Sequence, residues 1–386
     1  MTKPLKILHC PATVGGHPQQ LAISERELGL DSHSATLEQN YLQYPVDEVV
    51  FGRCKVLNEL RRWRFVARAL RRYDVIHYNF GSSIMAGRVD ERGGVMEHTA
   101  RKLYNLLYGR HVELRDVAQA HKLGKVIAVT YQGDDARQGD FCRAHYPIHF
   151  AHELEASGYY SRFFDQVKRE KIAAFDRHAD LIYALNPDLL NVLPQRARFL
   201  PYANVDLRQW APTPPESDLG MPHVVHAPTH RKVKGSEYIV AALERLKAEG
   251  VPFKYTLVEG VPRARAREVY ETADLAVDQI LSGFYGGLAV ELMALGKPVI
   301  CYLRQEDLRF LPQEMRQSLP IINAEPATIY EVLKTWLTTR KMELRAQGLL
   351  SRAYMERWHD PLKIAASIKR DYETACASKP SRRVLE

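Results

Sequence analysis

Residues 278–300 read DQILSGFYGGLAVELMALGKPVI, and this stretch decides the fold. Apolar Leu275, Ala276 and Val277 run into it as a strand and meet polar Asp278 and Gln279. A glycine-bearing turn follows, Gly283-Phe284-Tyr285-Gly286-Gly287. A helix is expected over 288–295, closed by Gly296 as its C-cap. Pro298 then opens a buried strand over 299–302. The order is strand, glycine turn, helix, strand. The first N–H groups of such a helix have no acceptor within it and are available to phosphate or carbonyl oxygens. Glu291 lies in the first turns, where an acid can accept hydrogen bonds from two sugar hydroxyls, as acids near glycine turns do in nucleotide folds.

The same alternation extends outward. Before the stretch come a strand at 223–228, a helix at 236–249, a strand at 253–258 and a helix at 264–272. The first half alternates likewise. Strands are expected at 6–10, 74–79, 125–130, 180–185 and 199–202, and helices at 19–30, 53–73 and 160–178, with an interrupted one over 96–122. Alternating β and α elements imply parallel doubly wound sheets. The proline-rich run APTPPESDLGMP at 211–222 reads as a linker between two Rossmann-like domains. From 326 to 377 the chain is expected to be nearly all helical, with a frayed tail after it. The expected boundaries are 1–205, 206–365 and a C-terminal helix and tail over 366–386.

At 386 residues, 46% hydrophobic and 26% charged, the chain has apolar residues for two cores. No run reaches the roughly 18 apolar residues that span a bilayer, and Met1-Thr2-Lys3-Pro4 leads directly into a strand, so no leader is expected. Five widely spaced cysteines, two of them in expected core strands, fit a reduced cytoplasmic setting and not a disulfide framework.

The net charge of +8 is partly local. Helix 53–73 carries eight Arg and Lys residues against one acid, Glu59, around an expected apolar seam of Val56, Leu60, Trp63, Ala67 and Leu70. Such a helix either packs its seam on the core with a solvated basic face or lies on an anionic membrane. No helix-turn-helix or zinc-finger spacing accompanies it, so nucleic acid is not an expected partner. Cys142, His145, His149 and His152 have some metal-like spacing, but Pro147 interrupts them and no second ligand pair follows, so no metal is expected there. Asp134 and Asp135, just past a strand, read as a ligand edge, a divalent-metal pair or a helix cap.

Two further features carry chemistry. Gly15-Gly16 follows the first strand and precedes a helix, which makes either a phosphate cradle or an ordinary turn. Arg231 and Lys234 lie in a loop before a helix, where two cations and a helix N-terminus suit a diphosphate or a solvated basic loop.

The run His226-Ala227-Pro228-Thr229-His230-Arg231, then Lys234-Gly235, residues 286–291 and 294–300 resemble the retaining GT-B glycosyltransferases, specifically glycosyltransferase family four. The resemblance covers most of the chain and includes Gly15-Gly16, Tyr131-Gln132-Gly133-Asp134 and, loosely, residues 355–361. It implies a GT-B fold: two Rossmann-like domains facing a central cleft, with C-terminal helices crossing back to the first. It implies a metal-independent retaining transferase of the hexosyltransferase type. A nucleotide-diphosphate sugar would be the donor, no separate cofactor would be needed, and a glycan or lipid-linked hydroxyl would be the acceptor in surface polysaccharide or glycolipid synthesis. Arg231 and Lys234 would act on the diphosphate. Gly15, Gly16, Tyr285, Gly286, Gly287 and Glu291 would bind the donor, and Gln132, Asp134 and Asp278 would contact sugar or acceptor. The implied location is cytoplasmic, at the inner membrane face if helix 53–73 docks there.

The chain departs from the family in three places. Gly283 stands where the family usually has a glutamate, eight residues before Glu291. Gln132 stands where it often has histidine, and a glutamine orients a substrate but cannot titrate. Arg231 and Lys234 are closer together than the family's pair. Two other readings accompany the transferase: a GT-B sugar-nucleotide epimerase or hydrolase using Glu259 or Asp134, and a catalytically silent nucleotide-sugar-binding partner.

Overall fold

A computed structural model describes residues 3–39, 44–92, 94–216 and 220–379. The part of the expected linker at 217–219 and of the expected frayed tail at 380–386 lies outside the described residues. The first seven strands are β1 (Lys6–Cys10), β2 (Asp31–Thr36), β3 (Glu48–Val49), β4 (Val75–Asn79), β5 (Val126–Tyr131), β6 (Leu181–Ala184) and β7 (Arg198–Phe199). They form one parallel sheet in the order β3-β2-β1-β4-β5-β6-β7. Every residue of β4 and β5 is buried, as a parallel sheet covered by helices on both faces requires. Five more strands, β8 (His223–His226), β9 (Lys254–Leu257), β10 (Leu275–Val277), β11 (Val299–Cys301) and β12 (Ile322–Asn323), make a second parallel sheet ordered β12-β11-β10-β8-β9.

Each sheet reverses its winding once, between β1 and β4 in the first and between β8 and β10 in the second. Ligands of doubly wound sheets bind outside the carboxyl ends of the strands at these switch points. The turn at 11–16 leaves β1 at one such point, and Asp278 and Gln279 leave β10 at the other. Both domains are Rossmann-like. The last helix, Pro361–Ser378, packs on the first-domain helix His17–Glu27, as the crossing-back expectation required. Tyr372 Oη lies 2.6 Å from His77 Nδ1, and Asp371 accepts from Tyr183 and Arg198 at 2.7 Å each.

The domains also meet away from the linker. Cys142, Tyr146, Phe150, Ala151, Leu154 and Tyr160 of the first share one apolar core with Val224, Ile239, Ile280 and Leu281 of the second. Arg304 donates to the Ile148 carbonyl at 3.1 Å and lies 3.6 Å from the centroid of the Tyr146 ring. This bridge fixes one side of the cleft.

One local expectation needs correction. The helix Lys55–Arg72 buries Phe65, Val66 and Ala69, and leaves Val56, Leu60 and Trp63 exposed. Only its C-terminal half packs on the sheet, so the core takes a face rotated from the expected seam. Beyond β6 the Asn186 amide donates to the Gln132 carbonyl at 2.5 Å and to Tyr202 Oη at 2.9 Å, which ties the ends of β5 and β6 together.

Candidate functional site

The helix Gly287–Ala294 begins where the opening stretch requires, and Gly296 beyond its end has φ +73°, the left-handed conformation of a C-terminal glycine. Its start is held from behind. Asp278 Oδ2 accepts the Gly286 N–H at 2.7 Å, and Asp278 Oδ1 accepts from Lys234 Nζ at 2.8 Å. Lys234 also donates to Gln279 Oε1 at 2.7 Å. One buried carboxylate therefore ties the lysine to the glycine turn. A methyl group at Gly286 would stand 3.5 Å from Lys234 Nζ, so the ammonium lies against that turn's backbone. The N–H groups of Gly287, Leu288 and Ala289 have no acceptor within the helix. A positive edge results, made of one ammonium and the start of an eight-residue helix.

This edge opens on a cavity of about 380 Å³ between the domains. Lys234, Thr229 and Gly287 line it from the second domain, Gly15 and Tyr44 from the first, and Asn204 from the connection between them. Glu291 lies in its wall and accepts from Arg263 Nε at 2.7 Å. Burial pushes the Glu291 carboxyl above its ordinary pKa, and the Arg263 guanidinium opposes that shift. The Arg263 guanidinium also faces the rings of Tyr44 and Trp210 at 5.3 and 5.2 Å. Arg263 Nη2 and Asn204 Oδ1 are buried without a partner. Unsatisfied buried polar atoms on a cavity wall suit a ligand or ordered water.

The glycine pair has two separate jobs. Gly15, at φ +65°, lines the cavity and has open space where a Cβ would be. At Gly16 a Cβ would meet the Tyr44 ring at 2.7 Å, so only glycine lets that ring pack on the backbone. Gly16, Tyr44, Arg263 and Glu291 thus form a continuous chain of contacts across the cleft.

Other expected site residues stand elsewhere. Arg231 is half exposed and pairs with Glu259 at 2.5 Å, away from the cavity wall. The Tyr285 side chain is fully buried, with its hydroxyl 2.9 Å from His359 Nε2 and 3.1 Å from Tyr354 Oη. Asp134 accepts from Tyr160 at 2.7 Å and from Tyr159. Asp135 accepts the N–H groups of Gln132 and Gly133, and burial raises its pKa to about 6. Gln132 is buried at the end of β5 with its Nε2 unpartnered. Neither Gln132 nor Asp134 lines the cavity. The four Cys and His residues of 142–152 do not converge: His145 lies 2.9 Å from the Phe141 carbonyl, His149 accepts the Ala151 N–H, and His152 lies 2.9 Å from the Tyr146 carbonyl.

Gly283 has φ +81°, and a Cβ there would lie 2.6 Å from Arg304 Nη1. Arg304 is pinned by Asp307 at 2.8 Å as well as by the first-domain bridge. Where the resembled family has a carboxylate, this chain has a left-handed glycine against a buried guanidinium.

No protein-family model matches the sequence, and no curated protein matches it. Solved structures do match. Sucrose-phosphate synthase from Thermosynechococcus elongatus superposes with a TM-score of 0.58 at 15% identity, over 98% of this chain and all of that one. Anabaena Alr3699/HepE, solved in complex with UDP-glucose, gives 0.58 at 12% identity, over 96% of this chain and all of that one. A protein described as a UDP-N-acetylglucosamine 2-epimerase, from Listeria monocytogenes, gives 0.50 at 10% identity, over 97% of this chain and 98% of that one. The fold is GT-B. In the GT-B cleft the residues that sequence reading missed are Tyr44, Asn204, Arg263 and Tyr270. Asn204 had one legible signal: it stands just after the last strand of the first domain, where the chain crosses the cleft. Arg263 opens the helix after β9, the edge strand one place out from the β8–β10 switch point that Lys234 borders.

Proposed function

We propose that this chain is a retaining glycosyltransferase that moves a sugar from a nucleoside-diphosphate sugar to a hydroxyl acceptor without a metal ion. The observation that carries the reading is the convergence of Lys234 and the Gly287 helix start on one cavity whose wall also holds Glu291. In this reading Glu291 binds the ribose, and Lys234 with the helix N–H groups binds the diphosphate. The bond between the anomeric carbon and the β-phosphate oxygen breaks. The acceptor oxygen attacks from the same face, and its proton passes to the leaving phosphate. Lys234 stabilises the charge that develops there. Arg231 contributes only if it leaves Glu259. Gly15 leaves backbone room for phosphate or acceptor from the first domain. UDP-glucose in the Anabaena neighbour supports a nucleotide sugar as ligand. A glycan or lipid-linked acceptor in surface polysaccharide or glycolipid synthesis fits the open first-domain side.

Two observations favour other readings. Likeness to the Listeria protein favours an epimerase, but both carboxylates available for that chemistry, Asp134 and Glu259, are held by this chain's own groups. The filled position at Gly283 favours a silent binding partner. A thermal-shift screen over UDP-, GDP-, ADP- and CMP-sugars tests the binding site, because the true donor raises Tm by mass action. Donor consumption is then followed with and without hydroxyl acceptors. Acceptor-dependent consumption supports transfer. Acceptor-independent consumption supports epimerase or hydrolase, binding without consumption supports the silent partner, and no shift with any nucleotide sugar overturns the site itself.

A further inference from the structure

The helix Val95–Tyr104 buries none of its residues. With the turn Asn105–Gly109 that continues it, it exposes Val95, Met96, Leu103, Leu106 and Leu107, with Val95 and Met96 each 86% exposed. At helical spacing these five fall on one face. The helix is tethered by polar bonds: Asn105 donates to the Val89 carbonyl at 2.8 Å, Tyr104 to the Gly87 carbonyl at 3.3 Å, and Arg101 to the Arg92 carbonyl. A helix this short gains most of its stability from a packed apolar face, and here that face has no cover among the described residues.

Beside it lies the outward face of Lys55–Arg72, with Val56, Leu57, Leu60 and Trp63 exposed, Val56 at 86%. Trp63 Nε1 donates to Tyr108 Oη at 3.2 Å, and Tyr108 donates to Glu59, so the two helices are joined here. Contiguous exposed apolar surface on this scale marks an interaction site. Its rim decides the partner. Arg53, Lys55, Arg64, Arg71 and Lys102 are all exposed, and the 53–72 stretch has eight cations to one acid. An apolar face rimmed by cations matches the surface of an anionic bilayer, with acyl chains beneath negative headgroups. Among the described residues no helix is long and apolar enough to cross a membrane, so contact would be at the surface.

We propose that these two helices form one membrane-docking face that inserts Met96, Leu107 and Trp63 into the headgroup region of an anionic bilayer. The helix Val95–Tyr104 follows the loop leaving the carboxyl end of β4, the sheet edge that also holds the β1 switch point. Docking would hold the first domain at the lipid surface. Docking does not depend on which reaction the cleft performs.

The test is co-sedimentation of the full chain with phosphatidylglycerol-rich vesicles and with pure phosphatidylcholine vesicles. The expected result is binding to the first alone, weakened by added salt, with a blue-shifted fluorescence component that Trp63→Phe removes. Met96→Glu with Leu107→Glu should abolish binding, and Arg64→Gln with Arg71→Gln should weaken it roughly fivefold per cation removed. All four positions are exposed, and an unchanged thermal midpoint in each variant confirms that the fold is intact. Absence of binding to phosphatidylglycerol, equal binding to both lipids, or binding that survives the Met96 and Leu107 changes overturns the proposal. So does a vesicle-free dimer that Met96→Glu disperses, since a second copy would then cover the face.

Discussion

The two walls of the cleft are built on opposite plans. On the second-domain wall each charged group already has a partner: Lys234 has Asp278 and Gln279, and Glu291 and Arg263 have each other. On the first-domain wall the contribution is mostly backbone and ring, from Val14, Gly15 and Tyr44. The difference is one of pre-organisation. The second wall holds its charges in place before any ligand arrives, which is the condition for strong electrostatic stabilisation of a developing charge. The first wall imposes shape and little charge, so it leaves room for ligands of varied shape. The walls differ as a fixed anion site differs from an adaptable one.

The sharpest way to break this contrast is Lys234→Ala. It removes the one cavity-lining cation tied to the glycine turn and leaves Asp278 buried with its Gly286 bond alone. Loss of a single pre-organised donor of this kind costs about 10²–10³ in rate, or about 3–4 kcal/mol. Donor turnover measured at saturating sugar nucleotide should fall by that factor. A fall below tenfold would mean that the second wall is not where the leaving charge is held.

Next in size is Gly283→Glu, which places here the carboxylate that the resembled family carries. At φ +81° any side chain is strained, and the Cβ would meet a guanidinium fixed by Asp307, Ile148 and Tyr146. The variant should lose about 1–3 kcal/mol of stability by urea titration and gain no activity. Gly283→Ala should be destabilised by a similar amount, which separates backbone strain from charge. A stable Gly283→Glu variant with higher donor turnover would show that the second wall is adaptable after all.

A smaller effect distinguishes the parts of the second wall. Glu291→Gln keeps the shape but exchanges a charge-assisted acceptor for a neutral one. Affinity for nucleoside diphosphates should drop about tenfold, while affinity for inorganic pyrophosphate, read by competition, should not move. Equal losses for both ligands would place Glu291 at the phosphates and not at the ribose.

The contrast also explains what was legible in the sequence. Residues 275–300 were readable because one short run holds a strand, a glycine turn, a helix bearing an acid and a closing glycine, in the order a nucleotide site uses. The first domain was harder. Strand β2 reads DSHSAT, without the alternation or apolar run that marks a strand. It is a strand because its polar groups find partners: Ser32 donates to Glu25 at 2.6 Å, and Asp47 accepts from the Ser34 N–H at 2.8 Å. The Lys55–Arg72 helix misled for the opposite reason. Its strongest apolar periodicity belongs to the face turned outward, and periodicity cannot say what covers a face. Arg263 and Tyr44 were not readable as neighbours because they come from different domains, more than two hundred residues apart.

The smallest effect compares what lies beneath each wall. His17 follows the glycine pair, and its Nδ1 accepts the Ala203 N–H at 3.0 Å. His226 ends β8 behind Lys234, with Nδ1 2.8 Å from the Val277 carbonyl and Nε2 2.8 Å from Ser236 Oγ. Burial lowers their pKa values from 6.5 to about 3 and about 4. Both stay neutral in the folded protein while the unfolded chain protonates them below pH 6.5. Stability must therefore fall as pH drops from 6.5 toward those folded values. Each histidine should contribute about 0.7 kcal/mol of loss between pH 7 and 6. Asp135 and Glu291 act in the opposite sense, because burial raises their folded pKa values and the native state takes up their protons first. Absolute slopes therefore mix signs, and the informative quantity is the difference between wild type and variant. His17→Gln and His226→Gln should each flatten the urea midpoint against pH by a similar amount. A flattening confined to His226→Gln would mean that the first wall admits water beneath its glycine pair, making it looser than the second in packing as well as in charge.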